Sequence, residues 1–290
     1  MNRTWAFIGI LLLASAGVWQ FGIGPRWTQR IPAGWRWEAS FLGTGAYPDP
    51  ATGQYPVEDY ITPYERVMSV VPGAATAGAV WLEDHYTTRD VATGAITWEY
   101  IYRAEVDLRT GRHTAEAYAG DYFVFPRQVQ RQTYKMRFTT FKGLPFTFQG
   151  EEELEGLHVY RFGYTGYAEY TEGYASTENF QGVDVEPGQE IRCLDDKLEV
   201  TLWVEPATGE MAKVTESCPT GDYVYDAATD TPLYPLARWA GETAGDDVYR
   251  RVSLIRGERT RYLAAAYYAP AALLAGGLAA LAAAWLARRR

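Results

Sequence analysis

Two long, uncharged apolar runs close off the ends of this chain, and they constrain it more than anything between them. From Trp5 to Ile23 the sequence WAFIGILLLASAGVWQFGI holds one amide, Gln20, and no charge. At ~1.5 Å of rise per residue such a run makes a helix about 28 Å long, enough to cross a bilayer core. From Tyr262 to Ala287 a second run, rich in Ala and Leu with one proline (Pro270), carries no charge and stops at Arg288, Arg289 and Arg290. Both read as transmembrane helices: 1–23 as a signal anchor, 262–290 as a span with a basic tail. Ala14-Ser15-Ala16 also fits a signal peptidase site. The apolar continuation through Val18, Trp19, Phe21 and Ile23, with Arg3 as the lone preceding charge, favours the uncleaved anchor.

Arginines flank both runs, Arg26, Arg30 and Arg36 after the first and Arg250, Arg251, Arg256, Arg259 and Arg261 before the second. The positive-inside bias acts over short loops, and a segment as long as 24–261 is translocated largely regardless of its charge. Arg288, Arg289 and Arg290 then hold the tail in the cytoplasm. Both termini are expected on the cytoplasmic side of a bacterial cytoplasmic membrane, with 24–261 outside. Lys+Arg total 27 against 36 Asp+Glu, a net charge of −9. With no long basic run to track a phosphate backbone, nucleic acid is not an expected partner; the lipid bilayer is. Cys193 and Cys218 suit an oxidising compartment and are expected to form a disulfide, two buried thiols being the alternative.

The exposed segment reads as mainly β, in antiparallel sheets. Trp98, Tyr100, Tyr102, Ala104 and Val106 alternate with polar residues, a period-two strand ending in the turn Leu108-Arg109-Thr110-Gly111, after which 112–118 is expected to return as its partner. Leu198, Val200, Leu202 and Val204 repeat the plan, followed by Pro206-Ala207-Thr208-Gly209 and a return over Met211 to Cys218. Similar turns stand at Ala51-Thr52-Gly53 and Ala92-Thr93-Gly94. Two lobes, 36–145 and 146–245, related by duplication are one explanation; repeated use of one turn chemistry is the other. Asp246 and Asp247 followed by Val248, Val252 and Ile255 predict a juxtamembrane helix over 246–261 leading into the second span.

The order of features then becomes specific. The anchor is followed by Phe123-Val124-Phe125-Pro126 before Tyr134, by Glu152-Glu153-Leu154-Glu155-Gly156-Leu157-His158-Val159-Tyr160-Arg161-Phe162, and by Leu202-Trp203-Val204-Glu205-Pro206-Ala207-Thr208-Gly209, with a C-terminal helix and basic residues at the end. Over nearly the whole chain this resembles the bacterial DUF3068 family, also named the porin PorA family. The resemblance implies no established reaction and no catalytic residues. Its name implies a porin, but an outer-membrane barrel needs a lipid-facing apolar band on its strands. The strands here carry many charges on one face, which suits a β domain seated on a membrane by its helices. The Gly- and Tyr-rich stretch after Phe162 departs from the family pattern.

No catalytic signature stands out. His85, His113 and His158 are far apart without ligand spacing, and no nucleophile elbow, P-loop or dinucleotide fingerprint is present. No cofactor or metal is expected, and Asp49, Asp59, Asp84 and Asp90 belong to no calcium loop. Glu151 to Glu155 reads as a solvated strand edge that discourages pairing. Tyr160, Tyr164, Tyr167, Tyr170 and Tyr174 form the densest aromatic group. They offer either a stacking surface for a glycan or partner, or a strand that fills its own core. Ala272, Gly276, Ala280 and Ala284 suggest a close seam with the first span, where Gly9, Ala16 and Gly17 are small, or with a second copy. The expected function is a non-catalytic, membrane-anchored, extracytoplasmic binding or interaction module of the cell envelope, its partner another envelope protein, a lipid, a glycan or itself. An oligomeric pore is one alternative, a glycan- or lipid-acting enzyme the other.

Overall fold

A computed structural model describes residues 3–32, 34–46, 60–76, 78–115, 118–138, 141, 143–170 and 191–289. In chain order it has α1 (Arg3–Val18), a π-helical turn (Trp19–Ile23) and α2 (Gly24–Trp27), then β1 (Arg36–Ala46), β2 (Tyr60–Ala75), β3 (Ala79–Arg89), β4 (Ile96–Asp107) and β5 (Tyr134–Met136). There follow β6 (Leu144–Leu154), β7 (Leu157–Glu169), β8 (Ile191–Val204), β9 (Met211–Cys218), β10 (Asp222–Asp226), β11 (Thr231–Pro235) and β12 (Arg238–Thr243). The chain closes with α3 (Gly245–Leu263), a second π-helical turn (Ala264–Tyr268) and α4 (Ala269–Arg289). The fold is mainly antiparallel β, flanked by two helices long and apolar enough to cross a membrane.

The strands lie in the order β4-β3-β2-β1-β12-β9-β8-β7-β6-β5, with the β10–β11 hairpin attached to β8. The meander β1–β4 and the meander β6–β9 are therefore halves of one sheet. They are joined by β12, which pairs with β1 on one side (Phe41 opposite Thr243) and with β9 on the other (Trp239 opposite Cys218). A strand from late in the chain thus stands between β1, at the start of the sheet region, and β9, which ends at Cys218 shortly before it. Because alternate side chains of a strand face opposite ways, each half turns one apolar row inward: Trp37, Ala39 and Phe41 from β1, Leu198, Val200, Leu202 and Val204 from β8.

The expected return strand at 112–118 does not form among the described residues. β4 pairs along its length with β3, and the chain after Gly111 makes only isolated bridges, such as Val106 with His113 and Arg112 with Tyr122. The segment runs instead across the inward face, where Phe123, Val124, Phe125, Val129, Phe138 and Phe141 are buried among residues of both half-sheets in one core. A stretch so rich in large apolar groups gains more by filling that space than by pairing on one edge.

The tight turns share one construction. Asp90, Asp107, Glu205 and Asp226 each accept from both the backbone N–H and the hydroxyl of a threonine three residues on: Thr93, Thr110, Thr208 and Thr229. The residue after each threonine has positive φ: Gly94, Gly111, Gly209 and Asp230 at 70°, 74°, 75° and 56°. The acidic partner is the part of the Thr-Gly signal that the turn residues alone do not reveal. The turn at 51–53 lies outside the described residues.

α3 begins at Gly245 with Asp246 and Asp247 in its first turn and continues through the π turn into α4. Val248, Val252 and Ile255 bury against Leu157, Val159 and Ala212 on the outer face of the sheet. Asp247 accepts from the Ser40 N–H, and Arg250 reaches Glu38 at 2.8 Å, so the helix is pinned to β1. α1 and α4 pack on each other through small residues. A Cβ on Gly9 would stand 2.7 Å from Leu281, and one on Gly277 would stand 2.8 Å from Leu13. Ala280 and Ala284 of the predicted stripe are buried, whereas Ala272 and Gly17 lie outside the seam.

Candidate functional site

Where the helices meet the sheet, the backbone changes its winding twice at the same level. α1 ends in the π turn at Trp19–Ile23 and α4 begins after the π turn at Ala264–Tyr268. Such turns widen the helix and release backbone groups from regular bonding. Here the Trp19 indole N–H donates to the Ala265 carbonyl at 2.9 Å, fastening one turn to the other. Beside them opens a cavity of about 450 Å³ lined by residues that include Trp19, Gln20, Thr28, Arg109, Gln128 and Tyr267.

Gln128 enters this cavity from the core-filling segment. Its φ is +55°, an unusual conformation for a residue with a side chain. The backbone around it is held to the β8–β9 turn by Gln128 N–H to Ala207 O at 3.1 Å and Val129 N–H to Pro206 O at 2.7 Å. That pose lets the Gln128 amide donate to the hydroxyls of Tyr262, at 3.0 Å, and Tyr267. Next to it Arg127 donates to the Gln29 carbonyl at 2.9 Å and to Glu258 at 3.0 Å, with its guanidinium over the Tyr262 ring.

Behind the cavity lies a buried charge network. Arg30 donates to Glu210 at 2.6 Å, to the Gly209 carbonyl at 3.1 Å and to the Phe125 carbonyl. The Trp35 indole donates to the same Glu210 carboxylate at 2.9 Å, and Arg251 approaches its other oxygen at 3.7 Å. Burial alone would raise the Glu210 pKa, but Arg30, Arg251 and the indole N–H hold it below the usual carboxylate value. Burial pushes Arg251 down to about 10, with Glu210 opposing. Burial and the neighbouring Glu210 charge raise Glu258, with Arg127 and Arg30 opposing. The network ties the segment after α1, the core-filling segment, the β8–β9 turn and α3 to one another. Paired and hydrogen-bonded charges tolerate this burial, whereas single ones would not.

The domain itself takes up several of the arginines that flank the two apolar runs. Arg30 and Arg251 are buried, Arg250 pairs with Glu38 and Asp247, Arg256 donates to the Glu155 carbonyl, and Arg259 lies 3.2 Å from Glu205. Much of this positive charge is bound to the domain's own acceptors. A run of arginines beside a span resembles a membrane collar in sequence; the distant acids that receive them leave no local mark.

The tyrosine group does not form one surface. Tyr160 and Tyr164 are half-buried against the core, Tyr167 is 68% exposed, and Tyr170 is buried, tilted against the Phe141 ring with its hydroxyl 3.0 Å from Asp222. An irregularity between Gly166 and Ala168 shifts the register against β8 and changes which residues face in. Tyr174 lies outside the described residues. In the backbone Cys193 stands opposite Val224 and Cys218 opposite Trp239. Cys218 is buried, and the Cys193 side chain, hence the disulfide, lies outside the described residues. Arg288 is exposed at the end of α4; the side chain of Arg289 and all of Arg290 lie outside the description. His113 is buried among Tyr102, Tyr118 and Phe123, and burial lowers its pKa to about 4. Among the described residues no cluster of three or more His, Cys, Asp or Glu is arranged to hold a metal. The acidic run at 151–154 occupies the part of β6 that its partner β5 does not reach.

The family profile described as Porin PorA matches residues 3–286, nearly the whole chain. No curated protein matches it.

Proposed function

The chain belongs to the Porin PorA family, and from that premise we propose that it is a non-catalytic binding or interaction module of the cell envelope. In this reading two helices cross the cytoplasmic membrane, both termini are cytoplasmic, and the β domain lies outside. The observation that carries it is the filled interior: Phe125, Tyr134, Phe138, Phe141, Phe146 and Phe162 pack where a barrel pore would hold water. A membrane-spanning sheet must also close on itself, because unpaired edges are not tolerated in lipid. Here β4 and β5 are separate ends of the strand order among the described residues. The helices favour anchoring over conduction for the same kind of reason, since their close approach at Gly9 and Gly277 leaves no water path between them.

The discriminating experiment combines planar-bilayer recording with native mass spectrometry of the full-length protein extracted from its own membrane. A monomer or dimer that gives no discrete conductance steps is the expected result. A closed ring of subunits with reproducible single-channel steps overturns the binding reading and restores the pore. Protease treatment of intact spheroplasts tests topology separately, and the β domain is expected to be cleaved from outside.

A further inference from the structure

We propose that the cavity between the two π-helical turns seats the phosphate-bearing headgroup of an anionic phospholipid. This rests on the membrane-anchored reading above and specifies which molecule such a module holds beside its anchor.

Position is the first argument. The cavity is lined from both helices, by Trp19, Gln20 and Gly24 on one side and Tyr262, Ala265 and Tyr267 on the other, at the level where the apolar runs give way to the β domain. Phe21, Ile23 and Tyr268 face outward close by, at 86%, 42% and 66% exposure, where acyl chains would lie if the helices are in lipid. Tryptophan and tyrosine are favoured at this boundary because each has an apolar body and a polar tip.

Chemistry is the second argument. No Asp or Glu lines the cavity, although the chain as a whole is acidic at −9. The lining offers donors: the Arg109 guanidinium, the Gln20 and Gln29 amides, and the tyrosine hydroxyls. Gln128 donates to both tyrosine oxygens, and a hydroxyl that accepts still has its own proton to give. At most one of those protons is used between the two tyrosines, so the group ends on a donor. Arg109 makes no close ion pair among the described residues, unlike most of the flanking arginines, although it lies within electrostatic reach of Asp107 two residues before it. A guanidinium with hydroxyl and amide donors around it matches a phosphate diester.

Conformation is the third. Two π turns at one level and a left-handed Gln128 are departures from regular backbone, and such departures concentrate at binding sites. Their joint effect here is to hold open a space that straight helices would close.

The test uses the full chain. Membranes carrying it are first washed with alkaline carbonate; the purified protein is then incubated with vesicles of phosphatidylglycerol or phosphatidylcholine, or with soluble glycerol phosphate, and examined by native mass spectrometry. The expected result is a carbonate-resistant protein that retains phosphatidylglycerol about tenfold over phosphatidylcholine, a difference of ~1.4 kcal/mol, and does not retain glycerol phosphate. That preference is expected to disappear in Arg109→Gln, to weaken in Tyr267→Phe, and to persist in Arg103→Gln, whose side chain pairs with Glu83 on an exposed strand face. Equal retention of the two lipids, or an unchanged preference in Arg109→Gln, overturns the proposal while leaving the anchored module intact. Retention of glycerol phosphate at the same level overturns the assignment to a lipid. Release by carbonate overturns the anchored reading and this inference with it.

Discussion

Replacing Gly209 by alanine, alongside the same change at Gly94, separates two costs that a turn glycine avoids. Both glycines follow a threonine in the same acid-and-threonine turn, and their φ values, 75° and 70°, are nearly equal. A left-handed conformation costs an L-residue roughly 1–2 kcal/mol. Part of this, about 0.4–1 kcal/mol, is returned because alanine restricts the unfolded chain. At Gly94 nothing lies within 4 Å of the added Cβ, so the net loss should be about 1 kcal/mol. At Gly209 the Cβ would stand 2.2 Å from the Pro126 carbonyl oxygen and 2.8 Å from that of Phe125. One of two backbone segments must move, and both belong to the buried network, since Arg30 donates to Gly209 O and to Phe125 O. Hydrogen bonds to a charged group contribute roughly 1.5–3 kcal/mol each. Disturbing one of these raises the expected loss at Gly209 to roughly 3 kcal/mol. For a domain of this size each kcal/mol shifts the melting temperature by roughly 2–4 °C. Near-UV circular dichroism of the full chain in nanodiscs should therefore show a fall of about 6–12 °C for Gly209→Ala and about 2–4 °C for Gly94→Ala. Equal shifts would refute the reasoning, because they would mean that the packing of the turn on 125–126 contributes nothing.

Glu210→Gln leaves Arg30 and Arg251 buried without their carboxylate and should destabilise by roughly 3–5 kcal/mol, read as a lower urea midpoint. Because the wild-type pKa is held below its ordinary value, Glu210 stabilises fully above about pH 4.5 and loses that contribution as pH falls through its folded pKa, a dependence the variant should lack. Asp222 behaves oppositely. Burial, partly opposed by the Tyr170 hydroxyl and backbone N–H groups, raises it from 3.8 to about 7. Between those values the folded state holds a proton that the unfolded state has lost, so stability falls as pH rises, by about 4 kcal/mol in total. Asp222→Asn should abolish this slope and increase the neutral-pH urea midpoint relative to wild type; an unchanged slope would count against a neutral Asp222. Gly277→Ile places a branched side chain against Leu13 and the Gly9 carbonyl, so it should part the two apolar helices and lower the melting temperature without changing the near-UV signal of the folded β domain. An unaltered melting temperature would show that the helix seam adds little.

Local pattern by itself determined much of this protein. The uncharged runs at both ends, the period-two strand over 98–107, the β8–β9 hairpin around Thr208-Gly209 and the helix beginning near Asp246 all depend on periodicities and turn chemistry contained within a few neighbouring residues. The tertiary structure decided the rest, for reasons of distance. Nothing near 112–143 in sequence says that Phe123, Phe125 and Phe138 will fill the space between two half-sheets, because that space exists only once β12 has joined β1 to β9. Arg30 and Glu210 are 180 positions apart, and neither has a neighbour that announces the other. Gln20, Tyr262 and Tyr267 read as scattered polar groups in apolar runs until two π turns and the left-handed Gln128 bring them to one cavity. Secondary structure follows from interactions over one or two turns of chain; a buried charge network or a cavity follows from which distant surfaces meet, and only the folded packing sets that.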